Sequence, residues 1–155
     1  MTIRRAKEAD IPKLIDLLEQ VLLVHHKVRP DLFQEKGVKY TESELAELIA
    51  DDSRPIFVYE DESGTVLGHL FTVIEESHAP KVAHKTLFID DLCVDEAARG
   101  QKIGEQLYRF ALQYAKEIGC YNLTLNVWSA NKSAVRFYER QGLTPQETRM
   151  EQIID

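Results

Sequence analysis

The stretch Ile89–Gly104, IDDLCVDEAARGQKIG, decides how the rest of the chain is read. Its first half ends an apolar strand. Its second half is a turn with Arg99, Gly100, Lys102 and Gly104, and an amphipathic helix follows at once. The first N–H groups of a helix lack intrahelical acceptors, and the helix dipole adds positive potential there. A strand, a glycine-bearing turn and a helix N-terminus in sequence therefore suit an anion such as a phosphate. A plain connection that keeps glycines for geometry has the same pattern, so the flanking elements must decide.

Upstream, KTLFIDDLCV (85–94) is apolar on both faces, which marks a strand central in a sheet. Strict alternation along it puts the adjacent Asp90 and Asp91 on opposite faces. Downstream, Ile103, Leu107, Phe110, Ala111, Tyr114 and Ile118 share one helical face, and Gly119 ends that helix. NLTLNVW (122–128) is the next strand. Asn131 caps a helix that contains Ala134, Val135, Phe137 and Tyr138 and ends near Gly142. Residues 143–154 are expected to return as a final strand or hairpin.

Toward the N-terminus, IFVYED (56–61) and TVLGHLFTVIEE (65–76) form a hairpin across Glu62-Ser63-Gly64, and 77–84 reads as a polar loop. Residues 2–6 are a short first strand. Asp10 is placed to N-cap a helix with Pro12 in its first turn, running to about residue 25. Thr41 and Glu44 make a capping box for a helix over about 41–51. The order β-α-α-β-β-β-α-β-α-β describes an α/β (α+β) protein with a mixed sheet and helices on both faces. Without linkers or repeats, a single domain over 1–155 is expected.

Composition narrows the function. The formal net charge of −7 argues against a broad nucleic-acid surface, which needs a basic footprint, and mildly favours cationic substrates such as amines. No apolar run is long enough to span a bilayer, and MTIRRAKEAD lacks the apolar segment of a signal peptide, so no membrane partner and a cytoplasmic location are expected. Cys93 and Cys120 form no C-x-x-C pair, and the histidines are scattered. No metal site is read, and both thiols are expected to be reduced core residues.

Two motifs and the strand between them carry a resemblance. Arg99-Gly100-Gln101-Lys102-Ile103-Gly104 and Asn131-x-x-Ala134-x-x-Phe137-Tyr138-x-x-x-Gly142-Leu143, together with the strand 85–94, are similar to the GCN5-related N-acetyltransferase (GNAT) superfamily. The likeness covers essentially the whole chain and is strongest over 86–143. It departs from the family pattern at Lys102, which replaces a glycine, and at Leu143, which replaces a phenylalanine. The resemblance implies a mostly antiparallel sheet that splays between two parallel strands. It implies acetyl-CoA as co-substrate, with its pyrophosphate on residues 99–104 and its pantetheine arm against Leu92, Cys93 and Val94. Arg99 and Lys102 would add charge for its phosphates. Asn131 would contact the cofactor, Asn126 would contact the pantetheine arm or the acceptor, and Ala134 would leave room for the cofactor.

The resemblance further implies direct transfer of an acetyl group to a primary amine in a ternary complex. Tyr138 would protonate the departing thiolate. Asp90 or Asp91, with Asp90 ahead by position, would receive the ammonium proton directly or through water. Cys93 as an acetylated nucleophile is the less favoured route, since no histidine base lies near it in sequence. The acceptor would be a small-molecule or peptide amine, entering past His25, His26, Arg29, Asp31 and Phe33. The histidines read more simply as exposed helix-end residues and Trp128 as a packing residue. The final segment, with Arg149, Met150 and Glu151, points to a homodimer through strand pairing. Two other classes stay open: a non-catalytic acyl-CoA-binding or regulatory protein on the same fold, and a nucleotide-binding α/β protein that uses the same turn.

Overall fold

The computed structural model describes all 155 residues. Strand β1 (Thr2–Arg5) leads through a 3-10 turn into helix α1 (Ile11–Val28), and helix α2 (Glu42–Ile49) follows. Strands β2 (Ile56–Glu60), β3 (Val66–Glu76) and β4 (Lys85–Val94) come next, then helix α3 (Ile103–Glu117), strand β5 (Asn122–Leu125) and helix α4 (Lys132–Gln141). The sheet order is β1-β2-β3-β4-β5. Every neighbouring pair is antiparallel except β4 and β5, which are parallel.

The sheet separates two apolar layers. On one face, Leu14, Leu17 and Leu18 of α1 and Leu45 of α2 pack against Ile56, Val58, Phe71 and Cys93. On the other, Ile103, Leu107, Tyr108 and Ala111 of α3 pack against Phe57, Leu70, Leu87 and Ile89. Phe137 and Tyr138 of α4 join this second layer from its edge. α4 has no fully buried residue, so one flank of it is open.

Most local expectations hold. Thr41 accepts from the Glu44 N–H at 3.2 Å, while Glu44 returns the bond to the Thr41 N–H at 3.0 Å. Asn131 caps α4 by accepting from the Ala134 N–H at 3.2 Å. α1 runs three residues past the expected end, to Val28.

Four expectations fail for identifiable reasons. Asp10 does not cap α1 with its side chain. Its carboxylate accepts from Arg4 at 2.8 and 3.0 Å and from the Lys7 N–H at 2.8 Å, a stronger set of partners than a single helix N–H. β5 stops at Leu125 rather than Trp128, because β4 diverges and leaves residues 126–128 without a neighbouring strand. Residues 143–155 form no strand: the free edge of β5 lies within this chain, but the segment does not return to it.

Finally, Asp90 and Asp91 lie on one face of the sheet, not two. A β-bulge shifts the register, so that Phe71 faces Asp91 while Thr72 faces Ile89, and Asp90 becomes the extra residue. Before the bulge, odd residues such as Leu87 and Ile89 face α3; after it, Cys93 faces α1. Both aspartates therefore turn toward the α1–α2 side, where their partners are found.

Candidate active site

β4 and β5 pair only from Thr86–Asn122 to Ile89–Leu125. Beyond the bulge, residues 91–94 stay paired with β3 on one side and have no strand on the other. A wedge thus opens between Leu92, Cys93 and Val94 on β4 and the chain after Leu125, with Asn126 exposed at its far wall. Unpaired strand edges of this kind accept an extended, amide-bearing ligand arm.

The wedge leads to the turn before α3. Gly100 has φ 88°, and Lys102, a non-glycine residue, has φ 59° in the left-handed region. This turn aims its backbone outward: the N–H groups of Gly100 through Glu105 have no acceptor within the protein. Arg99, Lys102 and Arg140 surround them and, with Val94, Gly104 and Phe137, line an open cleft of about 410 Å³. Three cations, with Glu105 the one carboxylate in the same lining, gather positive charge on a chain of net charge −7, which suits an anion. Gly104 contributes space. A Cβ there would meet Val94 and Phe137 at 3.6 and 3.7 Å, ordinary contact, so the protein itself does not require glycine. The segment before the turn is anchored from α1: Asp95 accepts from Lys13 and from the Ala97 N–H at 3.1 Å, and Gln20 accepts from the Glu96 N–H at 3.0 Å.

Tyr138 stands on α4, edge-on to Phe137 at 5.1 Å and to Tyr108 at 6.4 Å. Burial pushes its phenol well above the ordinary value, and the charges of Asp91 and Tyr108 push the same way. The phenol therefore stays protonated at neutral pH. Cys93 is 8% exposed, and its thiol donates to the Leu17 carbonyl at 3.6 Å. Burial pushes the thiol up to about 12, with Asp91 adding to the effect, so almost none is thiolate at neutral pH and nucleophilic attack is disfavoured.

The two aspartates differ. Asp90 accepts from the Tyr40 hydroxyl at 2.7 Å and pairs with Lys39 at 3.0 Å. Asp91 has one protein partner, Nε2 of His69 at 3.0 Å. Beside them, the end of α1 forms a wall. His25 packs on Phe33 at 4.9 Å, and Phe33 packs edge-on to Trp128 at 5.5 Å. Arg29 lies over the Trp128 ring at 5.8 Å and is paired with Asp31 and Glu151. Burial lowers His25, against the pull of Asp91. The structure gives His26 a bracing role: its Nδ1 is 2.8 Å from the Phe33 carbonyl. Trp128 packs, as expected, against Phe33 and under Arg29.

His69, Tyr40, Lys39 and Arg140 were not singled out in the sequence. His69 left a signal, a lone imidazole inside the apolar run LGHLF. Arg140 left another, as a cation two residues before the glycine that ends α4. Tyr40 and Lys39 left none, since their partner is 50 residues away in sequence.

Comparison with known proteins shows which family carries this splayed mixed sheet. The profile of the Acetyltransferase (GNAT) family matches residues 21–143, and the chain belongs to that family. It is 31% identical over 91 residues to a Bacillus subtilis protein provisionally named a phosphinothricin acetyltransferase, a match covering 59% of this chain and 54% of that one. It thus spans about half the length of that curated relative. It is 28% identical over 104 residues to glucosamine 6-phosphate N-acetyltransferase of Arabidopsis thaliana, covering 67% of this chain and 68% of the relative. A crystal structure of a mutant BH1408 protein from Bacillus halodurans superposes with a TM-score of 0.93 at 27% identity over 99% of both chains.

Proposed function

We propose that this protein is an acetyl-CoA-dependent N-acetyltransferase that acetylates a primary amine by direct transfer in a ternary complex. The observation that carries the reading is the wedge itself, flanked by β4 with Asp91, with Tyr138 on α4 and a cationic cleft at its mouth.

The residues present suit acetyl-CoA. Unpartnered N–H groups of residues 100–105, with Arg99, Lys102 and Arg140, fit a pyrophosphate and an adjoining phosphate. The free edge of Leu92, Cys93 and Val94 fits the amide-bearing arm, while Gly104 and Ala134 leave room and Asn131 and Asn126 stand at its flanks. Gln101, Ile103 and Phe137 complete the cradle's backbone and apolar side. The co-substrate supplies an acyl thioester already activated toward attack.

The chain then has three tasks. Asp91, directly or through a water, takes a proton from the incoming ammonium so that the nitrogen lone pair is free. A backbone N–H of the β4 edge donates to the carbonyl oxygen as negative charge gathers on it. As the C–N bond forms and the C–S bond breaks, Tyr138 delivers its proton to sulfur. Asp91 suits the first task better than Asp90, which is occupied by Lys39 and Tyr40. The acceptor is a small-molecule or peptide amine that enters past His25, Phe33 and Trp128. The named substrate of the Arabidopsis thaliana relative, an amino sugar phosphate, belongs to this class. We also propose a homodimer, formed through the unpaired segment 144–155.

The test is thiol release from acetyl-CoA against an amine library, comparing wild type with Tyr138→Phe. Amine-dependent release that falls at least about tenfold in the variant supports the reading. Release that no amine raises above hydrolysis overturns it. Acetyl-CoA binding without transfer would favour a binding protein instead.

A further inference from the structure

We propose that His69 is a positioning residue for Asp91, whose ring Nε2 holds one carboxylate oxygen and leaves the other free for the acceptor amine; this rests on the acetyltransfer reading above. His69 is fully buried at 0% exposure on β3, between Val58 of β2 and Cys93 of β4. Phe71 packs edge-on against its ring at 4.7 Å. Nε2 lies 3.0 Å from Oδ2 of Asp91, while Nδ1 has no partner in the protein. The other oxygen of Asp91, Oδ1, also has none.

These facts fix the proton. A carboxylate only accepts, so Nε2 must carry the hydrogen and Nδ1 must be the bare lone pair. A hydrogen on Nδ1 would instead be a buried donor with no partner. No lysine or arginine pairs with Asp91, whose one ionic contact is His69, and the nearby Lys39 pairs with Asp90.

The arrangement makes little sense as packing. The site is walled by Val58, Phe71 and Cys93, where a leucine would bury the same volume with no orphaned nitrogen. Strands of natural proteins tolerate such a mismatch where function requires it. With His69 donating to Oδ2, the Asp91 carboxyl has one orientation and Oδ1 stays free. An ion pair would hold the carboxylate too, but would weaken it as a base.

The test compares wild type, His69→Leu and His69→Gln, the last of which retains an N–H donor. Nitrogen-15 NMR of the histidine rings should show the wild-type His69 hydrogen on Nε2. Carbon-13 NMR should show the Asp91 carboxyl resonance displaced in His69→Leu and returned toward wild type in His69→Gln. With an amine identified by thiol release, His69→Leu should lower kcat by about 10- to 100-fold while KM for acetyl-CoA changes less than about twofold. His69→Gln should recover most of the activity. A hydrogen on Nδ1, or an Asp91 carboxyl resonance indifferent to His69→Leu, overturns the proposal. If no amine is turned over, the acetyltransfer reading fails, and the two NMR measurements still decide the pairing by themselves.

Discussion

The hydroxyl of Tyr40 donates to Oδ2 of Asp90 at 2.7 Å, and this bond separates two aspartates that look equivalent in the sequence. Tyr40 also lies parallel to Phe71 with ring centroids 5.8 Å apart, so the bond ties the segment before α2 to the sheet. Burial raises the Tyr40 phenol and the bond to Asp90 raises it further, so it remains a donor across the working range. Lys39 completes the set. Asp90 fastens Tyr40 and Lys39 to the sheet, and Asp91 is the carboxylate proposed above for the proton transfer.

The two substitutions should therefore divide. Asp90→Asn removes the Lys39 attraction and weakens the Tyr40 bond, costing about 1–2 kcal/mol of stability while activity remains within about tenfold. Asp91→Asn should change stability less and lower kcat by about a hundredfold or more. Thermal melts and amine-dependent thiol release on the same preparations check both. Equal kinetic losses at the two sites would contradict this division.

A second contrast lies in the turn. Lys102 adopts φ 59°, where a Cβ costs about 1 kcal/mol relative to glycine. Lys102→Gly should match or raise the melting temperature and weaken acetyl-CoA binding through the lost charge. Gly104→Ala works through space instead. The added methyl meets the protein at ordinary contact distances and improves helix propensity by about 0.5–1 kcal/mol. It should stabilise the fold and still weaken acetyl-CoA by about tenfold or more, because the methyl occupies the cleft. Calorimetric titration with acetyl-CoA beside thermal melts tests this opposition of sign, and tight binding by Gly104→Ala would remove the cradle from residues 99–104.

What was legible beforehand follows from what is local. Helix spacing, the Thr41–Glu44 box and the Asn131 cap are read within a few residues, and all are present. The order of the strands was legible for the same reason. The bulge at Asp90 was not, because a register shift depends on how two strands meet and leaves both strands apolar in sequence. Tyr40 and His69 were missed as partners of Asp90 and Asp91 because each contact closes a long loop. Asp10 was misread because its cap role and its ion pair compete for one carboxylate, and Arg4 wins with two charge-assisted bonds.

That ion pair gives a pH prediction. Burial alone would raise the Asp10 carboxyl, but the Arg4 fork and the Lys7 N–H outweigh it and hold the group below its ordinary value. Lys13 and the Ala97 N–H likewise lower Asp95. A carboxyl whose folded value is depressed releases its proton more readily in the folded state. Its stabilisation is fully present above the unfolded value of about 3.9 and is lost as pH falls through the folded one. Stability should hold from neutrality to about pH 5 and drop below about pH 4. Asp10→Asn should cost about 2 kcal/mol at pH 7 and progressively less toward pH 3, where wild type has lost the same contribution. Urea midpoints across this range check it, and a constant difference at all pH values would deny the linkage.

The C-terminal segment gives the last prediction. Residues 144–155 belong to no helix or strand and make no backbone hydrogen bond within the chain. Met150, Ile153 and Ile154 are 88%, 65% and 85% exposed, while Glu151 is fastened to Arg29 beside the acceptor wall. β5 ends the sheet with its outer edge open. An extended segment without a strand partner and an edge without one are complementary, and within one chain they do not meet. A second copy can bring them together, each C-terminal segment pairing with the other copy's β5 and burying its isoleucines. Light scattering at micromolar concentration should give twice the chain mass of 17.8 kDa. Ile153→Glu with Ile154→Glu should give the single mass without unfolding α3 or the sheet, because neither residue is part of the core. It should also loosen the Arg29–Glu151 contact and raise KM for the amine more than for acetyl-CoA. A full-length chain that stays monomeric at about 100 μM would rule out strand exchange, since a swapped edge of this kind holds well below that concentration.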